Sequence, residues 1–67
     1  MEGWERVYYS NQAHTIEIVK AALEDHEIKS VVLDKRITSY VSVGDIEVYV
    51  PAEDAILAKI IIEQLAL

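Results

Sequence analysis

Sixty-seven residues with no cysteine leave room for one domain, spanning residues 1–67, and exclude disulfides and thiolate metal sites as sources of stability. Twelve acidic against six basic residues give a formal charge of −6, which opposes non-specific attachment to nucleic acid or to anionic membranes. A hydrophobic share of 52% excludes an ordinary disordered tail. Taken in chain order, Trp4 to Ser10 is the first expected strand, rich in residues that suit a pleated surface. Strict alternation places Glu5, Val7 and Tyr9 on one face and Trp4, Arg6 and Tyr8 on the other. Ser10-Asn11 then offers an oxygen to an unpaired amide at a helix start.

The first helix is expected from about Gln12 to His26, with Ala13, Ile16, Val19, Ala22 and Leu23 as its apolar stripe. Ser30 to Asp34 follows as a short strand whose consecutive apolar residues suggest cover on both faces. Lys35 to Ser42 reads as a loop or single turn, and the next strand runs from about 43 to 50. In that strand Ile46, Val48 and Val50 face one way, Glu47 and Tyr49 the other. An alternative makes Tyr40–Val43 a hairpin partner of Ile46–Tyr49 through Gly44-Asp45. Pro51 suits a helix start, and Glu53 and Asp54 place negative charge where the first turn favours it. The last helix carries Ala55, Ala58, Ile62 and Leu65 as its stripe. Ile56, Leu57, Ile60 and Ile61 widen that stripe well beyond one face.

The order β-α-β-β-α predicts an α+β fold with parallel first and second strands joined by a right-handed crossover. The third strand fits between them, giving sheet order 1-3-2 with both helices on one face, a ferredoxin-like arrangement lacking its last strand. Trp4, Arg6, Tyr8, Glu47 and Tyr49 then fall on the uncovered sheet face, and the first strand is a free edge.

The chain resembles the small prokaryotic signal-transducing proteins of the DUF2007 family. The resemblance rests on Val7-Tyr8-Tyr9, the helix segment Val19-Lys20-Ala21-Ala22-Leu23-Glu24, and Ile28 to Asp34. It continues in Ser39-Tyr40, in Gly44-Asp45-Ile46-Glu47-Val48-Tyr49-Val50-Pro51, and in Asp54, Ala58 and Ile61-Ile62. Glu27 stands where family members often have glycine. The family is similar in fold to the PII-like nitrogen-regulatory proteins, which commonly assemble into trimers, so the resemblance implies signalling or small-ligand sensing. It transfers no catalytic residues.

Lys35, Arg36, Ser39 and Tyr40 form the one basic and hydroxyl cluster, a candidate site for an anionic ligand. The ordinary reading of those residues is a solvated inter-strand loop. Trp4, Arg6, Tyr8 and Tyr49 on the open face, with Ile56 and Ile60 on the last helix, are candidate interface residues. The same aromatics resemble base-stacking surfaces of RNA-binding sheets, but the acidic charge weighs against nucleic acid. His14 and His26, twelve residues apart, are too distant along a helix to share a metal. Neither a Gly-rich phosphate loop nor a nucleophile motif occurs. The expectation is a non-enzymatic, cytoplasmic binding or signalling module without cofactor or metal. It is expected to act through protein–protein association, and as a homo-oligomer. The alternative is a metabolite sensor that uses the loop between the second and third strands.

Overall fold

A computed structural model describes residues 2–36 and 45–67. The element order is β1 (Trp4–Ser10), α1 (Ala13–Asp25), β2 (Val31–Asp34), β3 (Ile46–Pro51), a 3-10 turn (Ala52–Asp54) and α2 (Ala55–Gln64). β3 is central and antiparallel to both neighbours, giving the order β1-β3-β2. Sheet order, strand directions and the placement of both helices agree with the architecture expected from the sequence. The proposed hairpin strand at residues 40–43 lies outside the described residues, as does the start of the expected third strand at Val43.

The core forms where one face of β3 meets both helices. Ile46, Val48 and Val50 pack with Ile16, Val19 and Leu23 of α1 and with Ala55, Ala58, Ile61 and Ile62 of α2. Ala55 and Ala58 are small and almost wholly buried, so the N-terminal half of α2 meets the core through them. Ile61 joins this core, whereas Ile56, Leu57 and Ile60 stay outside it. Ala13, assigned to the first stripe by spacing, is exposed.

Local signals set the element ends. Ser10 accepts a hydrogen bond at its hydroxyl oxygen from the Gln12 amide (3.1 Å), one residue ahead of α1. At the other end, the Ile28 amide donates to Leu23 C=O and the Glu27 amide to Glu24 C=O, both at 2.9 Å. That pair of bonds is the Schellman closure, and it requires a left-handed residue, here Glu27 with φ 58°. Leu23 and Ile28 are both buried, supplying the apolar contact that accompanies this motif. Pro51 stands at the helix start, as expected: it is the final residue of β3, opposite Trp4, and the N-cap of the 3-10 turn that begins at Ala52 and runs into α2. The Ala52 amide donates to Gly3 C=O at 2.9 Å, tying the end of β3 to the entry of β1.

Candidate functional site: the open sheet face

β1 is not a regular strand. Arg6 lies opposite Tyr49 and Tyr8 opposite Val48, so Val7 is an extra residue facing no partner of its own. A bulge of this kind shifts the alternation of everything after it. Trp4 and Arg6 remain on the open face, as expected. Tyr8 does not: it turns to the helix side with Val48 and packs against the core. Tyr9 takes its place on the open face opposite Glu47 and is largely exposed. Tyr8 is therefore corrected from an open-face residue to a core-flanking one, with Tyr9 as the aromatic that the bulge exposes.

Glu47 is the hub of this face. It sits in the middle strand, and its side chain is only 11% exposed although no helix covers it. One carboxylate oxygen accepts a hydrogen bond from the Tyr49 hydroxyl (2.8 Å) and forms a salt bridge with Lys35 Nζ (3.0 Å). The other accepts from Arg6 Nη1 at 2.9 Å. Arg6 comes from β1, Glu47 and Tyr49 from β3, and Lys35 from the residue that follows β2. One carboxylate thus ties all three strands together. The Lys35 amide also donates to Asp45 C=O (3.0 Å), which fixes where the lysine leaves the sheet. The Arg6 guanidinium lies 4.9 Å from the Tyr9 ring centroid, within cation–π range.

The electrostatics follow from these contacts. The Tyr49 hydroxyl, then Lys35 and Arg6, hold the Glu47 carboxyl down at about 2, against the opposing effect of desolvation. Glu47 in turn raises the pKa values of Lys35 and Tyr49. A second closed pair lies beside it. Asp34 accepts the Arg36 amide and Nε on one oxygen (both 3.0 Å) and Nη2 on the other (2.7 Å). Arg36 holds the Asp34 carboxyl at about 2, through its side chain first and its amide second. General acid–base work needs groups that exchange protons near neutral pH. These pairings move Glu47 and Asp34 away from that range.

The expected basic cluster is therefore divided. Lys35 turns to the sheet face and Arg36 closes on Asp34, while Ser39 and Tyr40 lie outside the described residues. Of the expected interface residues, Arg6 and Tyr49 meet at Glu47, and Trp4 lies opposite Pro51 along the same face. Ile56 and Ile60 are on the far side of the molecule, exposed on α2. His26 uses Nδ1 locally, against Ala22 C=O at 2.9 Å. Alternation gave the Arg6–Glu47–Tyr49 side of the network. Tyr9 was missed, because a bulge carries no periodic signal, and Lys35, expected in the loop cluster with Arg36, was not expected at the sheet face. Oppositely charged Arg6 and Glu47 on one face of two strands was the one available hint of an ion pair.

A family model matches residues 4–66, nearly the whole chain, under the description "Putative prokaryotic signal transducing protein", DUF2007. The chain belongs to the DUF2007 family. No curated protein and no solved structure matches it in the corresponding searches. Within the DUF2007 match fall both ion-paired networks and the whole of the open face. Among the described residues, no helix is long and apolar enough to cross a membrane.

Proposed function

We propose that this DUF2007 chain is a non-enzymatic regulatory binding module of a cytoplasmic signalling process, and that it works as a homo-oligomer associating through the outer face of α2. The family description supplies the signalling context. One observation carries the association: Ile56, Leu57 and Ile60 are 78%, 50% and 48% exposed on neighbouring positions of one helix. Positions four apart stack on one helix side, so Ile56 and Ile60 make a continuous aliphatic ridge with Leu57 beside it. Scattered apolar residues are normal on surfaces, but a contiguous helical ridge is what a partner subunit covers.

The free edge of β1 is a weaker candidate for this contact. The bulge at Val7 interrupts the regular spacing of backbone groups that an added strand would need. A self-complementary ridge, by contrast, fits a two-fold contact between copies. The expected likeness to PII-like proteins, which commonly form trimers, supports association of copies but with three-fold rather than two-fold symmetry. For the metabolite-sensor reading centred on Lys35, Arg36, Ser39 and Tyr40, the ion pairs weigh against a shared basic pocket. Arg36 would first have to leave Asp34.

Light scattering coupled to gel filtration tests the proposal. The wild-type chain is expected to elute as an oligomer at tens of micromolar, and Ile56→Glu/Ile60→Glu as a folded monomer with unchanged circular dichroism. A wild-type chain that remains monomeric at the highest soluble concentration overturns it.

A further inference from the structure

The β1 bulge re-aims two tyrosines. Along the same stretch runs a half-open groove of about 470 Å³, lined among the described residues by Arg6, Val7, Tyr8 and Tyr9. The size falls within the range of small-molecule pockets. We propose that this groove binds a small organic anion, a carboxylate or phosphate carried on a flat apolar group, with the Arg6 guanidinium taking the anion and the Tyr9 ring taking the flat group.

Charge supports the assignment. The chain as a whole carries −6, yet on this face Arg6 and Lys35 share a single carboxylate, Glu47. Two cations against one carboxylate leave this cluster with a net positive charge. Glu47 still holds the guanidinium in place through Nη1, so the arginine is oriented before a ligand arrives. An arginine presents five N–H donors in a planar fork. With its side chain about half exposed and Glu47 its one hydrogen-bonded partner among the described residues, the guanidinium presents further donors to a carboxylate or phosphate, the partners that match the fork.

The apolar half of the site comes from the same bulge. Tyr9 is the most exposed aromatic ring of the described residues at 57%, and it sits against Arg6 rather than in the core. A flat group beside it gains stacking area where the anion is already anchored. In an unbulged strand Tyr9 would face the helices, and cation and ring would lie on opposite sides of the sheet. Lys35 and Glu47 are positioning residues in this scheme, since neither lines the groove.

Titration of the full chain with phenyl phosphate, benzoate, inorganic phosphate and phenol, followed by amide NMR shifts, tests the site. Phenyl phosphate and benzoate are expected to give saturable shifts centred on Arg6 to Tyr9, and whichever binds more tightly identifies the preferred anion. Phenol, which lacks the anion, should bind at least about tenfold more weakly, the scale of one lost charge-assisted contact, and inorganic phosphate, which lacks the ring, about three- to tenfold more weakly, the scale of one aromatic contact. Arg6→Ala should abolish saturation by both aryl anions. Because that variant also strips a partner from Glu47, Tyr9→Ala is the independent check: it leaves the ion pairs intact and should bring phenyl phosphate down to the affinity of inorganic phosphate. Equal phenyl phosphate binding by wild type and either folded variant, or no shift in the wild type, overturns the proposal. The α2 association has no part in this test, and Ile56→Glu/Ile60→Glu should titrate as the wild type does.

Discussion

Glu27 occupies a left-handed position that an L-residue enters at a cost of roughly 1–2 kcal/mol, and glycine enters freely. Its charge also sits at the negative end of α1, beside Glu24 and Asp25. Glu27→Gly should therefore raise stability by about 1 kcal/mol, after the entropy that glycine adds to the unfolded chain. Urea unfolding measures it, and an unchanged or lower midpoint would show that the closure tolerates a side chain. Glu47 and Asp34 give a second residue-scale prediction, in acid. Both carboxyls are held at about 2, below their ordinary values of 4.5 and 3.8, so the folded chain binds fewer protons than the unfolded chain between those limits. Stability from these contacts is complete above about pH 4.5 and lost as pH falls toward 2. Denaturation midpoints across that range should slope downward into acid, and Glu47→Gln should flatten the slope while lowering the midpoint at neutral pH. A slope identical in the two proteins would remove Glu47 from the account.

At the scale of elements, β1 shows what one extra residue does. Without the bulge Tyr8 belongs to the open face and Tyr9 to the core; with it, they exchange roles. Tyr8→Ala should then cost on the order of 2 kcal/mol, reduced from the full aromatic deletion because Tyr8 is only partly buried. Tyr9→Ala should stay within about 0.5 kcal/mol, as surface changes do. Equal losses in thermal unfolding would contradict the observed register. β3 was far more legible, because alternation over Ile46 to Val50 is unbroken and both of its edges are paired. α2 was legible in its excess. Its widened apolar band was visible in the sequence, and the fold buries Ile61 from that band while leaving Ile56, Leu57 and Ile60 outside. The candidate site on the open sheet face was half legible: facing positions revealed Arg6, Glu47 and Tyr49, but nothing local announced Tyr9, and Lys35 was expected in a basic loop cluster rather than at Glu47.

At the scale of the molecule, one small core carries the fold. A chain of this length is stable by roughly 3–10 kcal/mol at the usual yield per residue. Leu23 is fully buried at the C-terminal end of α1, where the Schellman closure and Ile28 meet it. Leu23→Ala should cost about 2–5 kcal/mol and remove much of that margin, leaving a visible unfolded fraction by circular dichroism at room temperature. Association through α2 would offset part of this loss at high concentration, because any contact made only by the folded chain stabilises it. The Lys59–Glu5 pair between α2 and β1 (2.6 Å) is exposed, so its removal should matter little beside that.

The sequence by itself determined the element order, the central place of β3, most of the stripe that each helix buries and the family to which the chain belongs. These follow from periodicity, from short connections and from the handedness of the crossover, all of which act within or between neighbouring segments. Only the tertiary structure decided which tyrosine of β1 faces the core, which cation meets Glu47, and which isoleucines of α2 remain uncovered. Each of those outcomes depends on register across strands or on the size of the available core. Pairing fixes the register, and the one buried face of β3 fixes how much of α2 can be covered.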